Sequence, residues 1–449
     1  MTNHPLLARS QLAMAVLVLC AAVALGGGQG TLGDSLVQLL GLALLALALW
    51  RHQAEPAARL PAWAWLAALP PLLPLLQMLP LPDALWGASA ARGIIAQEAA
   101  VAGVDLSARL GLASLGAERA LAWLIPAVAL FLTGLQLFAR QRGILLAVFM
   151  LLACVGAILG LAQLAGGAES PLRFYDITNS GSAVGFFANR NHHASFMAMA
   201  LPFVLVGTAW WMNERRAADA GQALWLAPGI GLAALLIAGI AIANSRAGLL
   251  LGMLGLALSV PAVLAVRRRA GTRRVLAITV AIGLTLGVQF GLLGVLQQFQ
   301  RDPMQDNRFQ TTPIVMEAAR AHAPLGAGLG GFRAVFETYE GPVNDPEYVN
   351  HAHNDAAELW LEGGWLAVLL ALPLLAAFAG VGWHAWRTVT TPLPAARILR
   401  QAAWIALLLV LLHSLVDYPL RTTSHLALFG LLAAFASRLP QDKRVKPCP

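Results

Sequence analysis

Five polar runs interrupt an otherwise apolar chain: Asn189-Arg190-Asn191-His192-His193, Asn244-Ser245-Arg246, Arg308 with Arg320 and Arg333, His351-Ala352-His353-Asn354-Asp355, and Asp417-Tyr418-Pro419-Leu420-Arg421. Charge near membrane depth is costly, so such residues usually face an interior cavity and often mark a site. Arg246 lies between two apolar runs with almost no loop, which puts it at the mouth of a helix bundle. It reads either as an interfacial arginine with its head group in water or as an anion clamp, a planar fork that binds phosphate oxygens and never loses its charge. Arg308 reads as a second clamp or as a solvated loop charge.

His351 and His353 are two residues apart, so an extended backbone points both to one face. A metal pair would need further ligands, and no third ligand has the right spacing, so no metal is expected. A neutral histidine near pH 7 suits removal of a proton from a hydroxyl, with Asp355 or Glu358 to orient it. The alternative is a loop histidine capping the next helix. Gly326-Ala327-Gly328-Leu329-Gly330-Gly331 lacks the lysine and the strand of a phosphate loop, so it is read as a turn that lets backbone approach closely. No cofactor is expected. His192 and His193 are read as polar lining or a helix-start contact, and Asp417 and Arg421 as a pair across a short turn.

Long apolar helices must hold these runs. The 449 residues are 58% hydrophobic and 12% charged, against about 25% charged in soluble domains. A span needs about 20 apolar residues to cross about 30 Å of hydrocarbon. Apolar runs predict spans at 11–28, 32–50, 61–81, 119–138, 143–165, 191–212, 222–243, 247–266, 275–297, 360–384, 401–417 and 422–437. The expected fold is therefore all-α, a polytopic transmembrane bundle of about twelve helices. Residues 11–28 also look like a signal-peptide core, but an uncleaved first span fits the rest of the chain better. Cys20, Cys154 and Cys448 suggest neither a disulfide nor a zinc site.

The charges assign a direction. With a cytoplasmic N-terminus, 19 of the 30 Lys and Arg residues fall on the cytoplasmic side, together with only four of the 22 Asp and Glu. Short basic cytoplasmic loops are what insertion favours. The net charge of +8 therefore reads as loops facing an anionic leaflet, not as a nucleic-acid surface. Both termini are expected in the cytoplasm and all five polar runs outside. The chain divides into helices 1–5 (1–165), helices 6–9 with arginine-bearing outer loops (166–297), a long outer loop (298–359), helices 10–12 (360–437) and a basic tail (438–449). The long loop is expected to hold a short helix at Pro313–Ala321.

Asn189-Arg190-Asn191-His192, Ser245-Arg246-Ala247-Gly248-Leu249-Leu250, Pro324-Leu325-Gly326-Ala327-Gly328, His351-Ala352-His353-Asn354-Asp355 with Glu362-Gly363-Gly364, and Asp417-Tyr418-Pro419-Leu420 occur in that order. Together, over residues 185–425, they resemble the bacterial O-antigen ligase/polymerase superfamily. The resemblance implies a metal-independent inner-membrane glycosyltransferase of the GT-C type with a periplasmic active site. Its donor would be a glycan on undecaprenyl diphosphate and its acceptor lipid A–core or another glycan, with membrane lipids as further partners. By the same resemblance, Arg246 and Arg308 bind diphosphate and Arg190 joins them. His353 is the base, with His351 as second candidate, and Asn354, Asp355, Asn189 and His192 support the site. A polymerase of lipid-linked repeat units and a protein O-oligosaccharyltransferase belong to the same superfamily. A transporter or flippase is the rival from another class. Its site should lie near the midplane between internal repeats, whereas here polar residues gather at one face and no repeat is visible.

Overall fold

Backbone in hydrocarbon must satisfy its own N–H and C=O groups, so long apolar runs become helices. The computed structural model describes residues 5–28, 32–87, 89–104, 108–113, 115–175, 181–214, 222–266, 307–340, 349–387 and 395–437. They are all-α apart from one isolated bridge between Pro80 and Arg109. Helices α1 (Pro5–Leu25) and α2 (Leu32–Ala54) lead through a 3-10 helix at Ala62–Ala68 into α3 (Leu69–Gln77), α4 (Asp83–Trp86) and α5 (Ala90–Ala102). Then come α6 (Gly116–Gln136), α7 (Ala139–Ala165), α8 (Arg190–Glu214), α9 (Gln222–Ile242) and α10 (Arg246–Val266). The last group is α11 (Asn307–His322), α12 (Phe332–Tyr339), α13 (Asp355–Trp386), α14 (Ala395–His413) and α15 (Thr423–Ala436).

Among the described residues, eight helices are long and apolar enough to cross a membrane, and Ala62–Gln77, Ala227–Ile242 and Thr423–Ala436 are shorter apolar helices. They coincide with the expected spans except 275–297, which lies outside the described residues, as does the tail 438–449. The boundaries differ where polar side chains are used. The proline-rich third span is a 3-10 helix joined to a short α-helix, and it ends at Gln77. The tenth starts at Asp355 instead of 360, and the eleventh stops at His413, short of Asp417. In the long loop the helix expected at Pro313–Ala321 starts at Asn307 and carries Pro313 inside it.

Helix α8 is the centre of the bundle: 78% of its apolar window is buried, against 11% for α13. It is surrounded by α7, α9, α10 and α14. Phe149 of α7 meets Phe196 and Phe203 of α8 edge-on, with ring centroids 5.6 and 5.9 Å apart. Elsewhere small residues bring helices together, as membrane packing requires. Gly134 of α6 faces Ala434 and Leu431 of α15, and Gly430 lies against the backbone of Ala127.

Polar groups gather at both ends of the bundle. At one end Gln11 donates to Gln136 Oε1 (2.6 Å) and Thr133 Oγ1 (3.2 Å), while Gln136 donates to the carbonyls of Ala48 and Ala58. Arg51 joins Gln11 to Glu55. The opposite end carries the starts of α8, α10, α13 and α15. There the N–H of Ser424 meets the carbonyl of Gly26, just past the end of α1, at 3.1 Å. A small apolar core covers this end, built from Val315, Ala318 and Ala319 of α11, Phe332 and Phe336 of α12, and Leu361 of α13. Buried Arg92 fastens α5 to it, donating to the carbonyls of Arg109, Leu110 and Gly326 with the Trp86 ring 5.5 Å away. Burial lowers the Arg92 guanidinium to about 10, so it stays charged at neutral pH.

The glycine turn docks backbone to backbone. The N–H groups of Ala327 and Gly328 donate to the carbonyls of Leu361 and Glu362 at 2.9 and 2.8 Å. Gly364 permits this by kinking α13, with φ 54° and ψ −147°. A side chain there would be strained and would run into the backbone of Pro324 and Gly326. Gly364→Ala is therefore expected to destabilise the protein by about 2–3 kcal/mol. Gly380→Ala, a helical position with open space around it, should be neutral or slightly stabilising. Thermal unfolding of both variants in detergent checks the contrast.

Candidate active site

The site is built from helix ends. Asn189 starts α8: its side-chain oxygen accepts from the N–H of Asn191 at 2.8 Å. Ser245 starts α10 in the same way, its Oγ accepting from Gly248 N–H at 3.0 Å. Asn354 starts α13, accepting from Ala357 N–H at 3.0 Å. Arg190 and Arg246 are thus the first residues of two helices that touch one turn in, where Gly248 lies so close to Ala194 that a side chain at 248 would overlap it. Helix N-termini favour anions through their unpaired N–H groups and the macrodipole. Arg246 is exposed and Arg190 half-buried, its Nη1 3.4 Å from Ser182 Oγ. Arg308 falls in the first turn of α11, and its side chain lies outside the described residues.

Asp417 is the hub. It follows α14 in the connection to α15 and is fully buried. Its Oδ2 accepts from Asn191 Nδ2 at 2.5 Å, and its Oδ1 accepts from Tyr418 N–H at 2.9 Å. Three histidines surround it: His353 Nδ1 at 3.4 Å, His192 Nε2 at 3.8 Å and His413 Nε2 at 3.8 Å. Burial pushes the Asp417 carboxyl up, but the nearby imidazoles of His192, His353 and His413 outweigh it and hold the group well below the ordinary carboxylate range. Asp417 is an anion at any physiological pH. The pairing of Asp417 with Arg421 expected from the sequence is not what forms.

Arg421 turns to α13 instead. Its Nη1 lies 2.6 Å from Glu362 Oε2 and 3.3 Å from Glu358 Oε1, and its Nε lies 3.6 Å from Asp355 Oδ1. Asp355, Glu358 and Glu362 sit three and four residues apart, so one helix face presents all three. That face binds Arg421 rather than lipid, which explains why the helix begins at Asp355 and not at the first apolar residue. Burial alone would weaken Arg421's hold on its proton, yet the three carboxylates reverse this and raise it above its ordinary value. Glu362 also accepts from the N–H groups of Gly330 and Phe332, so the network ties the glycine turn to the bundle. Arg421→Met is expected to cost about 3 kcal/mol or more, because it strands buried carboxylates. Glu337→Ala, at an exposed pair with Arg333, should change stability by less than about 0.5 kcal/mol. Chemical and thermal unfolding in detergent compare the two.

The two candidate histidines have different partners. His351 Nδ1 lies 2.8 Å from Glu358 Oε1, and the residue is 12% exposed. His353 is 31% exposed, with its Nδ1 buried against Asp417. It adopts φ 49°, a left-handed conformation in which histidine is tolerated better than most residues. The ring of Tyr418 lies between them, 4.3 Å from His351 and 5.0 Å from His353. Asp355 therefore orients neither histidine. Glu358 orients His351, and Asp417 orients His353.

Sequence reasoning brought Arg190, Asn189, His192, Arg246, His351, His353, Asn354 and Asp355 to one end of the bundle. It did not find Asp417 as the partner of His353, nor His413 beside it. The available signal was a set of ionisable residues at the edges of apolar spans. Among the described residues, no group of three or more His, Cys, Asp or Glu side chains is arranged to hold a metal ion.

A sequence model of the O-antigen ligase family matches residues 231–372. This similarity supports the resemblance to the O-antigen ligase/polymerase superfamily read from the motifs. A search of curated proteins returns no match. The matched stretch runs from the middle of α9 into α13 and so includes Arg246, Arg308, His351, His353 and Gly364. Asn189–His193 and Asp417–Arg421 lie outside the matched stretch, at the start of α8 and between α14 and α15. The matched stretch is thus similar to O-antigen ligases, and it sits on a multi-pass helical scaffold.

Proposed function

We propose that the protein is a metal-independent glycosyltransferase that moves an O-antigen-like glycan from undecaprenyl diphosphate to a hydroxyl of lipid A–core on the periplasmic face of a bacterial inner membrane. The observation that carries this reading is His353, partly exposed, with its Nδ1 turned to the buried anion Asp417 beside two arginine-bearing helix starts. With Nδ1 facing the carboxylate, Nε2 is the ring nitrogen left to receive a proton. The acceptor oxygen attacks the anomeric carbon of the glycan, and its proton passes to His353 Nε2. The bond from that carbon to the diphosphate breaks, and its electron pair leaves with the diphosphate. Asp417 stabilises the imidazolium that forms.

The growing negative charge on the leaving diphosphate meets Arg246 and Arg190 at the N-termini of α10 and α8, with Arg308 as a further partner. Fixed donors aimed at developing charge act most strongly where water is excluded. The donor bond already holds the driving force, which agrees with a chain lacking a nucleotide-binding motif. The bias of basic residues to the other end of the helices supports a periplasmic site.

A deletion strain tests the choice of acceptor. Long lipid-linked glycan accumulating without lipopolysaccharide that carries it supports a ligase. Accumulation of single lipid-linked repeat units assigns the protein to polymerisation instead. Loss of glycan from a protein, with lipopolysaccharide unchanged, assigns it to protein glycosylation.

A further inference from the structure

Asp417 carries more histidine than one base requires. His192 from α8 and His413 from α14 each place Nε2 3.8 Å from the carboxylate that holds His353, one on Oδ1 and the other on Oδ2. Both are fully buried, at 1% and 0% exposure. Their rings meet edge-on with centroids 6.1 Å apart. Neither lies in the partly exposed position from which His353 can meet a substrate.

We infer that His192 and His413 are positioning residues for the transfer reaction, acting through Asp417: while neutral they leave the carboxylate to His353, and protonation of either one withdraws it. This rests on the reading of His353 as the base. The argument is electrostatic. One carboxylate can neutralise one imidazolium at full strength. A proton on His192 or His413 places a positive charge beside Asp417 before the reaction begins. The imidazolium that must form on His353 then meets a carboxylate already paired and a like charge nearby, in a site where water screens little.

Other groups around the hub constrain the effect. On α8, Asn191 bonds Oδ2 and cannot titrate. On α15, His425 is fully buried with its ring 5.3 Å from that of His192, so a charge on either disfavours a charge on the other. Toward α13, Tyr418 separates Asp417 from His351, and the positive charge of Arg421 is taken up by Asp355, Glu358 and Glu362. Asp417 accepts from Asn191 Nδ2 and from Tyr418 N–H whatever the charge on the histidines, and both bonds favour its ionised form. A double variant of His192 and His413 leaves Asp355, Glu358, Glu362 and Arg421 in place, so a difference between it and wild type reports the two histidines.

The test is the pH dependence of kcat for the detergent-solubilised full-length protein, with lipid-linked glycan donor and lipid A–core acceptor both saturating. With one carboxylate and mutually repelling charges, the hub takes one inhibitory proton at a time, so the acid limb of log kcat against pH has slope one and each histidine able to take that proton moves the limb to higher pH. In the double variant His192→Gln/His413→Gln, whose amides cannot take a proton, the limb should move to lower pH by about half a unit or more, and each single variant should move it part of the way. A limb that stays in place in the double variant, or in both single variants where the double variant does not fold, overturns the inference. His353→Ala is assayed alongside. Retained transfer in that variant rejects His353 as base and with it the reading beneath the inference, whereas loss of transfer with an unmoved acid limb in the histidine-to-glutamine variants rejects the inference alone.

Discussion

Replacing His353 with alanine should lower glycan transfer by about 10²–10⁴-fold, the usual contribution of a positioned general base. The loss should appear in kcat, with donor KM changed by no more than a few fold, because the arginines and helix starts that would hold the diphosphate are left in place. The protein should remain folded. His353 is 31% exposed and its ring touches Tyr418 and Asp417 at the surface of the site. Alanine is less at ease than histidine at φ 49°, so His353→Asn is the better-behaved companion. It tolerates the left-handed backbone and cannot act as a base at neutral pH. His351→Ala should lose at least tenfold less than His353→Ala, since Glu358 keeps Arg421 and the N–H of Ala352 when the imidazole is gone. Equal losses for the two histidines would make them interchangeable and remove Asp417 from its role.

Arg246→Ala should reduce kcat/KM by about 10²–10³-fold, the scale for removing one donor to a developing anion. Arg246→Lys separates charge from shape. Lysine keeps the positive charge but presents a compact ammonium instead of a planar fork. Its activity should therefore lie much nearer to alanine than to wild type. Neither variant should alter thermal stability by more than about 0.5 kcal/mol, because Arg246 is exposed at the first residue of α10 and the start of that helix is held by Ser245. Assays of initial rate against donor concentration, paired with melting curves, measure both halves of the prediction. Full activity in Arg246→Lys would mean that the site needs only a charge at this position.

The two predictions depend on different layers of information. Helices were legible because hydrocarbon imposes one solution on a long apolar run, and the runs are interrupted where polar residues gather. The histidine pair and Arg246 stood out for the same reason: charge and imidazole are conspicuous against leucine and alanine. Asp417 was visible as a residue but not as a partner. Its contact with Asn191 spans 226 positions in the chain, and no local pattern encodes a pairing at that distance. The nearby Arg421 offered a simpler pairing across a short turn. The fold rejects it because α13 presents Asp355, Glu358 and Glu362 on one face, and three carboxylates outbid one. That same face moved the start of the helix, since a helix anchored by a buried ion network need not begin where its apolar residues do. His413 was hidden within an apolar span, where a single histidine reads as an irregularity until the carboxylate it meets is known.

The glycine turn shows the opposite case. The run around Gly326 and Gly328 predicts a turn that lets backbone approach closely, and both residues have positive φ beside the backbone of Glu362 and Gly111. Gly364 lies in a stretch that reads as continuous helix, and its kink is required only because Pro324 and Gly326 dock against it. Two glycines are therefore readable from their neighbours in sequence, and the third only from its neighbours in space.

The central claim is transfer from a lipid diphosphate with His353 as base, and it is tested most directly with purified protein in detergent. The protein is supplied with undecaprenyl diphosphate-linked glycan and lipid A–core in excess chelator. Glycosylated acceptor and free undecaprenyl diphosphate should appear in equal amounts with wild type and be reduced by about 10²–10⁴-fold with His353→Ala. Glycosylated acceptor forming at the wild-type rate with His353→Ala, or no product from wild type until a divalent cation is restored, would contradict the account.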